Sequence, residues 1–276
     1  VCGDFSQLPP VASTGFCFEA EAWDAACLRD GTVILGQVHR QVNDPKFVQI
    51  LSEVRDGQCS EGALLELQLC RNRRHPEDGI LPTKIYCTNV DVDAENAKKL
   101  EALSGVARTY RARDTKQHLF SGTSAKLLEM ADRRASAQLE LKEGAQVLLT
   151  RNLSKELANG SRGVVLHCWD QPLVLFDCGL TRCVGPVEFF IGVPGVGTLL
   201  RHQVPLRLAW AVTVHKSQGM TLSRAEVMLE GAFDFGQVYV ALSRVTSLAG
   251  LWLRGDVPAN RIRAHPKVRA YYSQVS

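Results

Sequence analysis

The feature that most constrains the fold is a nearly continuous apolar run, VPLRLAWAVTV, at residues 204–214. A strand that is apolar on both faces is typical of a parallel sheet covered on both sides, because a half-exposed strand alternates with polar residues. The polar string HKSQGMTL follows this run directly. Since ligands bind beyond the carboxyl ends of strands in open parallel sheets, the sequence predicts an α/β unit with a ligand site near residues 215–218.

Other segments carry the alternating strand and helix signals of such a unit. Residues 43–57, NDPKFVQILSEVRDG, predict a helix with Asp44 as N-cap, Pro45 at the first position and Gly57 as terminator. A further helix is predicted to begin near Asp91 or Asp93 and to stop at Gly105. The other predicted strands are 32–38, 83–87, 225–230 and 248–255, and the other predicted helices are 18–31 and 233–245.

Between residues 105 and 205 the sequence pattern differs from that of the strand and helix segments on either side. Residues 106–140 are polar and basic, and they predict a segment that is partly helical at best. From Glu143 the chain turns to short β-rich runs at turn spacing, such as RGVVLHC and PLVLFDCG. This pattern predicts a small antiparallel barrel, inserted before strand and helix alternation resumes at Pro205.

The composition narrows the class of protein. With 276 residues and 45% apolar composition, the chain can bury one large core or two modest ones. Its nine cysteines form no CxxC pair, which predicts reduced thiols and no zinc site. A net charge of +3 does not by itself indicate nucleic-acid binding, and no apolar run is long enough to predict a membrane span.

Polar side chains near predicted strand ends suit a phosphate-rich ligand. Gln7, Arg40 and Arg244 are the most informative of them. Guanidinium groups bind phosphate oxygens through two hydrogen bonds and keep their charge at physiological pH. Placement at strand ends therefore suggests a phosphate site, although each arginine could instead form a surface salt bridge and Gln7 could be a polar turn residue.

Seven ordered strings make the suggestion much more specific. Together they resemble the Pif-type (petite integration frequency) DNA helicases, relatives of the RecD-like branch of helicase superfamily one. The resemblance extends from Val1 to about Tyr272. The strings are GDFSQLPPV, QVHRQVNDPKF, LPTKIYCTNVDVDAEN, LKEGAQVLLTRNL, NGSRGVV, PLRLAWAVTVHKSQGMTL and GQVYVALSRVTSLAGLWL.

The resemblance implies a P-loop NTPase (RecA-like) α/β fold with a parallel sheet, interrupted by a small inserted antiparallel β-barrel of Src-homology-like type. The expected ranges are 1–30 for the end of a first RecA-like domain, 31–105 for the first part of a second, 106–142 for a connecting segment, 143–204 for the barrel and 205–276 for the second part of the second domain.

By the same resemblance, three residues serve ATP hydrolysis. Gln7 contacts the γ-phosphate, while Arg40 and Arg244 reach the transferring phosphoryl group, and Asp4 shapes the turn that carries Gln7. Arginines in this position raise phosphoryl-transfer rates by about 10³ to 10⁵. Gly3 and Gly219 complete the expected nucleotide contacts, and Mg²⁺ is expected as the second cofactor.

The expected DNA contacts lie in three strings. Backbone N–H groups in HKSQG, with the Ser217 hydroxyl, would hold a DNA phosphate. The expected contacts are Thr88, Asn89, His215, Lys216, Ser217, Gln218, Gln237, Tyr239 and Ser243. A structural role for His215 and a helix-cap role for Asn89 remain open. For Lys142, Arg151 and Arg162 of the barrel, phosphate contact and a solvated basic face are both open.

The chain contains neither GxxxxGK[ST] nor the Asp-Glu pair of a second helicase motif. We therefore expect the C-terminal portion of an ATP-dependent 5′-to-3′ DNA helicase, monomeric and not in a membrane, with a first RecA-like domain and the main Mg²⁺ ligands upstream. Alone, this portion would bind ATP weakly and not hydrolyse it.

The expected partners are single-stranded and forked DNA, and the family implies roles in repair, recombination and telomere maintenance. Two alternatives remain: a non-catalytic single-strand-binding module and a helicase-nuclease subunit with a partner chain.

Overall fold

The computed structural model describes residues 2–9, 15–75, 81–87, 92–117, 124–193, 196–257 and 259–275. The α-helices in these ranges are α1 Glu21–Ala25, α2 Pro45–Arg55, α3 Glu61–Leu69, α4 Val92–Glu101, α5 Ser124–Arg134, α6 Val214–Ser217, α7 Gln237–Leu242 and α8 Pro266–Val275. The strands are β1 Thr83–Tyr86, β2 Arg108–Arg111, β3 Arg113–Gln117, β4 Gln138–Leu141, β5 Gln146–Leu149, β6 Arg162–Cys168, β7 Pro172–Phe176, β8 Thr181–Cys183, β9 Val187–Val193, β10 Gly197–Gln203, β11 Leu206–Leu208, β12 Ala211–Thr213, β13 Ala225–Met228 and β14 Leu251–Arg254.

The chain divides into two compact units. The first contains Val1–His75, Pro82–Val90 and Val212–Ser276, and the second contains Pro76–Leu81 and Asp91–Ala211. The first unit begins and ends the chain, so segments far apart in sequence meet in it. The predicted functional strings around Gln7, Arg40, residues 215–218 and Arg244 all belong to this first unit.

A parallel sheet forms the centre of the first unit, as the sequence predicts. Its strand order is β12-β1-β13-β14, and β13 runs parallel to both β1 and β14. Ile85, Val227 and Leu251 on these strands are fully buried. In β13 and β14 three successive residues are buried, as in a sheet covered on both faces, whereas β1 alternates buried and partly buried residues.

Helix α2 forms as the local signals predict. The Asp44 side chain caps it by accepting from the Phe47 backbone N–H at 3.0 Å, and Pro45 occupies the first turn. Its buried side chains include Phe47 and Val54, and the helix packs against α7. Gly57 follows the helix with φ of +73°, a left-handed conformation that glycine adopts without strain.

An aromatic cluster joins the beginning and end of the chain within the first unit. Phe18, Trp23 and Tyr271 are buried in it, and Phe5 meets the Phe18 ring edge-on at a centroid distance of 4.9 Å. Tyr271 belongs to α8, a helix that the sequence did not predict. The predicted helix 18–31 is shorter in the structure, because only α1, Glu21–Ala25, is α-helical in that range.

Residues 32–38 do not form the predicted strand. They have no regular secondary structure, and Val33 and Leu35 are 80% and 89% exposed. The preference of such residues for strands reflects packing against neighbouring strands rather than an intrinsic backbone tendency. None of the described strands pairs with residues 32–38, so these residues lack the packing against a neighbouring strand that would stabilise an extended conformation.

The run 204–214 is also not one strand. It is divided between β11, which pairs antiparallel with β5, and β12, which lies in the parallel sheet. Ala209 and Trp210 between the two strands are buried at 2% and 8% exposure. Burial throughout the run hides the change of sheet, since a continuous apolar pattern is the same in one sheet or two.

The second unit is built mainly from antiparallel sheets. A five-stranded sheet has the order β11-β5-β6-β7-β8, a three-stranded sheet has the order β3-β10-β9, and β2 pairs with β4. The antiparallel pairing predicted from residue 143 onward is therefore present. The polar segment 106–140 contains α5, as expected in part, and also contributes β2, β3 and β4, which were not predicted.

A buried arginine joins the three-stranded sheet to α5. Arg201 on β10 is 1% exposed, and its Nε and Nη2 donate to the two carboxylate oxygens of Asp114 at 2.7 Å each. Its Nη1 donates to the Asp132 carboxylate and to the Ala135 carbonyl oxygen. The hydrogen bonds of Asp114 and the burial of Arg201 act in opposite directions on the pKa of Arg201, and the hydrogen bonds prevail and raise it.

Candidate functional site

Asp4 closes the turn that carries Gln7. The Ser6 backbone N–H donates to Asp4 Oδ1 at 3.0 Å, and the Gln7 backbone N–H donates to the Asp4 carbonyl oxygen at 3.1 Å. Short polar side chains commonly stabilise turns by accepting from the backbone two residues on. This segment, residues 3–7, is called the N-terminal loop below.

The N-terminal loop contacts two other predicted strings of the first unit. Gln218 Nε2 donates to Gln7 Oε1 at 3.2 Å, which joins the loop to the HKSQG string. Gly236, the N-cap of α7, approaches the loop so closely that a Cβ atom there would lie 2.6 Å from the Ser6 carbonyl oxygen. Its φ of +75° also favours glycine.

Arg40 and Arg244, called the arginine pair below, converge on Ser243. Arg40 Nη1 donates to the Ser243 carbonyl oxygen at 3.0 Å, and its Nε donates to Thr221 Oγ1 at 2.9 Å. Arg244 Nη2 donates to Ser243 Oγ at 2.7 Å, and its Nε donates to the Val240 carbonyl oxygen at 2.9 Å. Both guanidiniums are therefore held by neutral oxygen atoms in defined orientations.

The charges of the arginine pair act on each other. Burial, helped by the nearby charge of Arg40, lowers the pKa of Arg244 to about 10. Burial also lowers the pKa of Arg40. Asp4 opposes the shift at Arg244, but its carboxylate is ion-paired with Arg55 at 3.0 Å. Two close, partly desolvated cations form a site that an anion with several oxygens would stabilise.

The HKSQG string forms a short turn of helix at the end of β12. The side chain of Thr213 caps α6 by accepting from the Lys216 backbone N–H at 3.2 Å. Ser217 is fully buried, and its hydroxyl donates to the Val214 carbonyl oxygen at 2.8 Å, so that this hydroxyl is occupied within the helix. His215, Lys216 and Gln218 are exposed.

The predicted contacts on and after α7 lie mainly inside the first unit. Gln237 is fully buried, and its Oε1 accepts from the backbone N–H groups of Phe233 and Asp234 at 2.9 and 3.2 Å. Ser243 is buried beside the arginine pair. Tyr239 is partly exposed, with its hydroxyl 3.5 Å from Asp4 Oδ2.

The glycines expected at the nucleotide have room around them. A Cβ atom at Gly3 or Gly219 would meet no described atom within 4 Å. Gly219 has φ of +82°, so the HKSQG string turns there in a conformation that other residues rarely adopt. Thr88 and Asn89, the expected DNA contacts after β1, lie outside the described residues.

The three basic residues expected on the inserted barrel have different surroundings in the second unit. Lys142 Nζ donates to the Glu101 and Leu103 carbonyl oxygens at 3.3 and 2.9 Å. Arg162 is 2% exposed and donates to the Leu81 carbonyl oxygen at 2.6 Å. Arg151 is exposed.

Two residues of the site escaped the sequence predictions. Arg55 ends α2 and Tyr272 lies on α8, and both bond to Asp4 Oδ1, at 3.0 and 3.2 Å. The spacing of Val268 and Tyr271 after Pro266 is a helix signal that would have indicated α8. No local signal indicates the contacts with Asp4, because they join residues 51 and 268 positions apart.

Comparisons with known proteins agree on one family. The family model described as DNA helicase Pif1, 2B domain, matches residues 131–167. ATP-dependent DNA helicase PIF1 of Xenopus laevis is 38% identical over 285 residues, covering 100% of this chain and 43% of that protein. The chain thus spans less than half the length of this curated relative.

Solved structures extend the likeness to three dimensions. The crystal structure of the Pif1 helicase from Candida albicans matches with a TM-score of 0.71 and 30% identity, covering 100% of this chain and 68% of that chain. A Pif1 helicase from Bacteroides in complex with ADP-AlF3 and ssDNA matches with a TM-score of 0.56 and 25% identity, covering 98% and 66%.

The described part of the chain contains neither a candidate membrane-spanning helix nor a candidate metal site. Its helices include none with the length and apolar character needed to cross a membrane. In the same residues, no three His, Cys, Asp or Glu side chains are grouped as a metal site would require.

Proposed function

The chain belongs to the Pif1 helicase family, and on this premise we propose that it supplies the arginine-bearing part of an ATP-dependent 5′-to-3′ DNA helicase. In the complete protein, ATP hydrolysis drives movement along single-stranded DNA and unwinding of a duplex. The activity in the name of the Xenopus laevis relative, ATP-dependent DNA helicase PIF1, supports the reaction class. The relative is also longer than this chain, which supports assigning hydrolysis to a protein that contains further residues.

The arginine pair is the observation that carries the proposal. Both guanidiniums are oriented by neutral oxygens, and the Asp4 carboxylate, which acts on Arg244, is already paired with Arg55. With a pKa of about 10, Arg244 keeps its charge at physiological pH. The arginine pair thus concentrates positive charge near Asp4, whose carboxylate acts on Arg244, in a form that suits the phosphates of ATP, and a developing phosphoryl charge would be stabilised there.

The proposed division of labour follows from the residues present. Gln7 contacts the γ-phosphate and Gln218 passes its loss to the DNA-binding string, while the arginine pair stabilises the transferring group. The chain has no GxxxxGK[ST] string, and its described residues hold no acidic metal cluster. We therefore assign the Mg²⁺ ligands and the phosphate cradle to another domain of the complete protein.

Single-stranded and forked DNA are the proposed partners of the first unit. His215, Lys216 and Gln218 are exposed at the end of a strand of the parallel sheet, and Gly219 leaves open space next to them. Exposed cations and amides at such a position suit phosphate and sugar contacts that carry no base specificity. Loss of the γ-phosphate would be felt through the hydrogen bond between Gln7 and Gln218.

The finer domain assignment is part of the proposal. Residues 143–204 would close as a Src-homology-like barrel over the DNA strand, and residues 31–105 with 205–276 would form the second RecA-like domain. The parallel sheet of the first unit and the antiparallel sheets of the second support a RecA-like part and an inserted part, although residues 91–105 and 205–211 belong to the second compact unit. Residues 1–30 would end the first RecA-like domain.

The phosphate site can be tested on the 276-residue chain with inorganic tripolyphosphate. We expect the chain to bind this anion, and we expect Arg40→Ala and Arg244→Ala each to weaken binding about tenfold or more. The reason is that a hydrogen bond to a charged group contributes about 1.5–3 kcal/mol. Isothermal titration calorimetry at constant ionic strength measures the effect.

The matched control is Arg269→Ala, which removes one positive charge from an exposed position on α8. It should leave the tripolyphosphate affinity within about twofold, as expected for an exposed and screened charge. Equal weakening by all three substitutions would mean that the anion responds only to net charge. That result would contradict a built phosphate site.

A further inference from the structure

The Asp4 carboxylate collects hydrogen bonds from several segments of the first unit. Oδ1 accepts from the Ser6 backbone N–H, from Arg55 Nη2 and from the Tyr272 hydroxyl, at 3.0, 3.0 and 3.2 Å. Tyr239 lies 3.5 Å from Oδ2. The N-terminal loop, α2, α7 and α8 therefore meet at one side chain.

Two of these segments lead directly to the arginine pair. Helix α2 runs from the Asp44 cap, just after Arg40, to Arg55 at its last residue. Helix α7 carries Tyr239, and its Val240 carbonyl holds Arg244 Nε. A shift at Asp4 would therefore reach Arg244 through the α7 backbone that holds its Nε, and would reach the segment that carries Arg40 through α2.

We propose that Arg55 and Tyr272 are positioning residues, which act through Asp4 to hold the N-terminal loop against the arginine pair. This inference rests on the proposed function, because it concerns how the phosphate site of that function is kept in register. Neither residue belongs to the strings that indicated the phosphate site, and neither contacts Gln7, Arg40 or Arg244 through the hydrogen bonds described above.

Tyr272 is bonded on both sides of its hydroxyl. The oxygen accepts from the Phe5 backbone N–H at 3.1 Å and the proton goes to Asp4 Oδ1. Burial raises the pKa of Tyr272, and the charge of Asp4 adds to the shift, so the hydroxyl remains a donor at physiological pH. One hydroxyl thus fixes both the side chain of Asp4 and the backbone of the residue that follows it.

Arg55 is held in place by the same two partners. Its guanidinium carbon lies 4.8 Å from the centroid of the Tyr272 ring, and its Nη2 donates to Asp4. Burial alone would lower the pKa of Arg55, but the charge and hydrogen bond of Asp4 outweigh burial and raise it. Arg55 is held both by stacking on the Tyr272 ring and by its charge, so a lysine would keep the charge but lose the stacking of the planar guanidinium.

The loop has little freedom to adjust elsewhere. Gly236 already lies against the carbonyl oxygens of Ser6 and Gln7, at the distances where a Cβ atom would overlap with them. The loop is therefore confined between the N-terminus of α7 on one side and the Asp4 bonds on the other. Removing an Asp4 bond would let the loop move away from the arginine pair.

The test replaces Tyr272 by Phe in the 276-residue chain, which removes the hydroxyl and keeps the ring. We expect tripolyphosphate affinity to fall about fivefold, less than the full effect of one hydrogen bond to a charged group, because the loss acts through the loop and not on the anion directly. We also expect the Arg244 ¹⁵Nε resonance to shift in NMR spectra, while the melting temperature changes little. Arg55→Lys should weaken binding less than Arg55→Met does, since lysine retains the charge.

The matched control is Tyr271→Phe, the neighbouring residue on α8. Its hydroxyl lies 2.9 Å from Thr32 Oγ1 and makes no bond with Asp4, although its ring is buried in the same aromatic cluster. The control should leave both the affinity and the Arg244 resonance unchanged. Equal effects of the two Tyr→Phe changes would overturn the positioning role and indicate general loosening of the cluster.

Failure of the inference can be separated from failure of the proposed function. If Arg40→Ala and Arg244→Ala weaken tripolyphosphate binding but Tyr272→Phe does not, the phosphate site stands and the positioning role is wrong. If neither arginine substitution affects binding, the phosphate site itself is wrong. A shifted Arg244 resonance together with weaker binding in Tyr272→Phe alone supports the inference.

Discussion

Arg244→Ala is expected to lower ATP turnover about 10³-fold in a protein that joins this chain to a domain carrying GxxxxGK[ST] upstream of residue 1. The buried guanidinium is aligned by the Val240 carbonyl and the Ser243 hydroxyl before any ligand binds. Little reorganisation is then needed when charge develops on the transferring phosphoryl group. Arginines that act in this way account for about 10³ to 10⁵ in rate. Steady-state ATP hydrolysis with saturating single-stranded DNA measures the loss.

The control for Arg244 separates catalysis from folding and from DNA affinity. DNA binding and melting temperature should remain close to those of the unsubstituted protein, and Arg269→Ala should hydrolyse ATP normally. A loss of less than about tenfold in Arg244→Ala would contradict a role in phosphoryl transfer, since it would be smaller than the effect of one charged hydrogen bond.

Arg201→Ala is expected to destabilise the second unit by about 3 kcal/mol. The substitution removes four hydrogen bonds and leaves Asp114 and Asp132 without the cation that neutralises them. Breaking a buried ion pair by removing one partner costs about 3–5 kcal/mol, and the partly exposed carboxylates place this case at the lower end. Thermal unfolding followed by circular dichroism should show a melting temperature lower by about 6–12 °C.

An exposed ion pair in the same unit provides the comparison. Arg133 pairs with Glu129 one helical turn away on α5, with both side chains largely exposed. Arg133→Ala should lower the free energy of unfolding by only about 0.3–0.5 kcal/mol. Similar losses in the free energy of unfolding for Arg133→Ala and Arg201→Ala would contradict the prediction that the buried Arg201 stabilises the unit more than an exposed arginine does.

Local signals were sufficient where a single segment decides the structure. Helix α2 could be predicted because Asp44, Pro45 and Gly57 act on neighbouring backbone groups, whatever the rest of the chain does. The strands β1, β13 and β14 were also predictable, since each is a short run with strand-forming residues such as Ile85, Val227 and Trp252, set between turn and helix signals.

Signals that depend on distant neighbours were misleading. Residues 32–38 have a strong strand composition but no described partner strand, and residues 204–214 serve two sheets with one uniform pattern. In residues 106–140 the opposite occurred, because β2 and β4 alternate around the buried Tyr110 and Leu139 while their exposed residues are polar. Because residues 106–140 are polar on average, their composition did not reveal this alternation of buried and exposed positions.

The candidate site shows the same division between local and distant information. Arg40 and Arg244 were named from their placement near predicted strand ends and from the resemblance, and only the fold brings their guanidiniums to Ser243. Arg244 is a charged residue just after α7 and is nevertheless 2% exposed, because neighbouring oxygens satisfy its donors. Tyr272 contacts Asp4 across almost the whole chain, a pairing that no spacing rule predicts.

The most direct measurement of the proposed function is ATP-dependent unwinding of a DNA duplex with a single-stranded 5′ tail. The protein to use joins this chain to a domain carrying GxxxxGK[ST], with Arg244→Ala as the reference. We expect unwinding that requires ATP, prefers the 5′-tailed duplex to the 3′-tailed one, and disappears in Arg244→Ala. Tight binding of single-stranded DNA without DNA-stimulated ATP hydrolysis would contradict the proposal and identify a non-catalytic DNA-binding module.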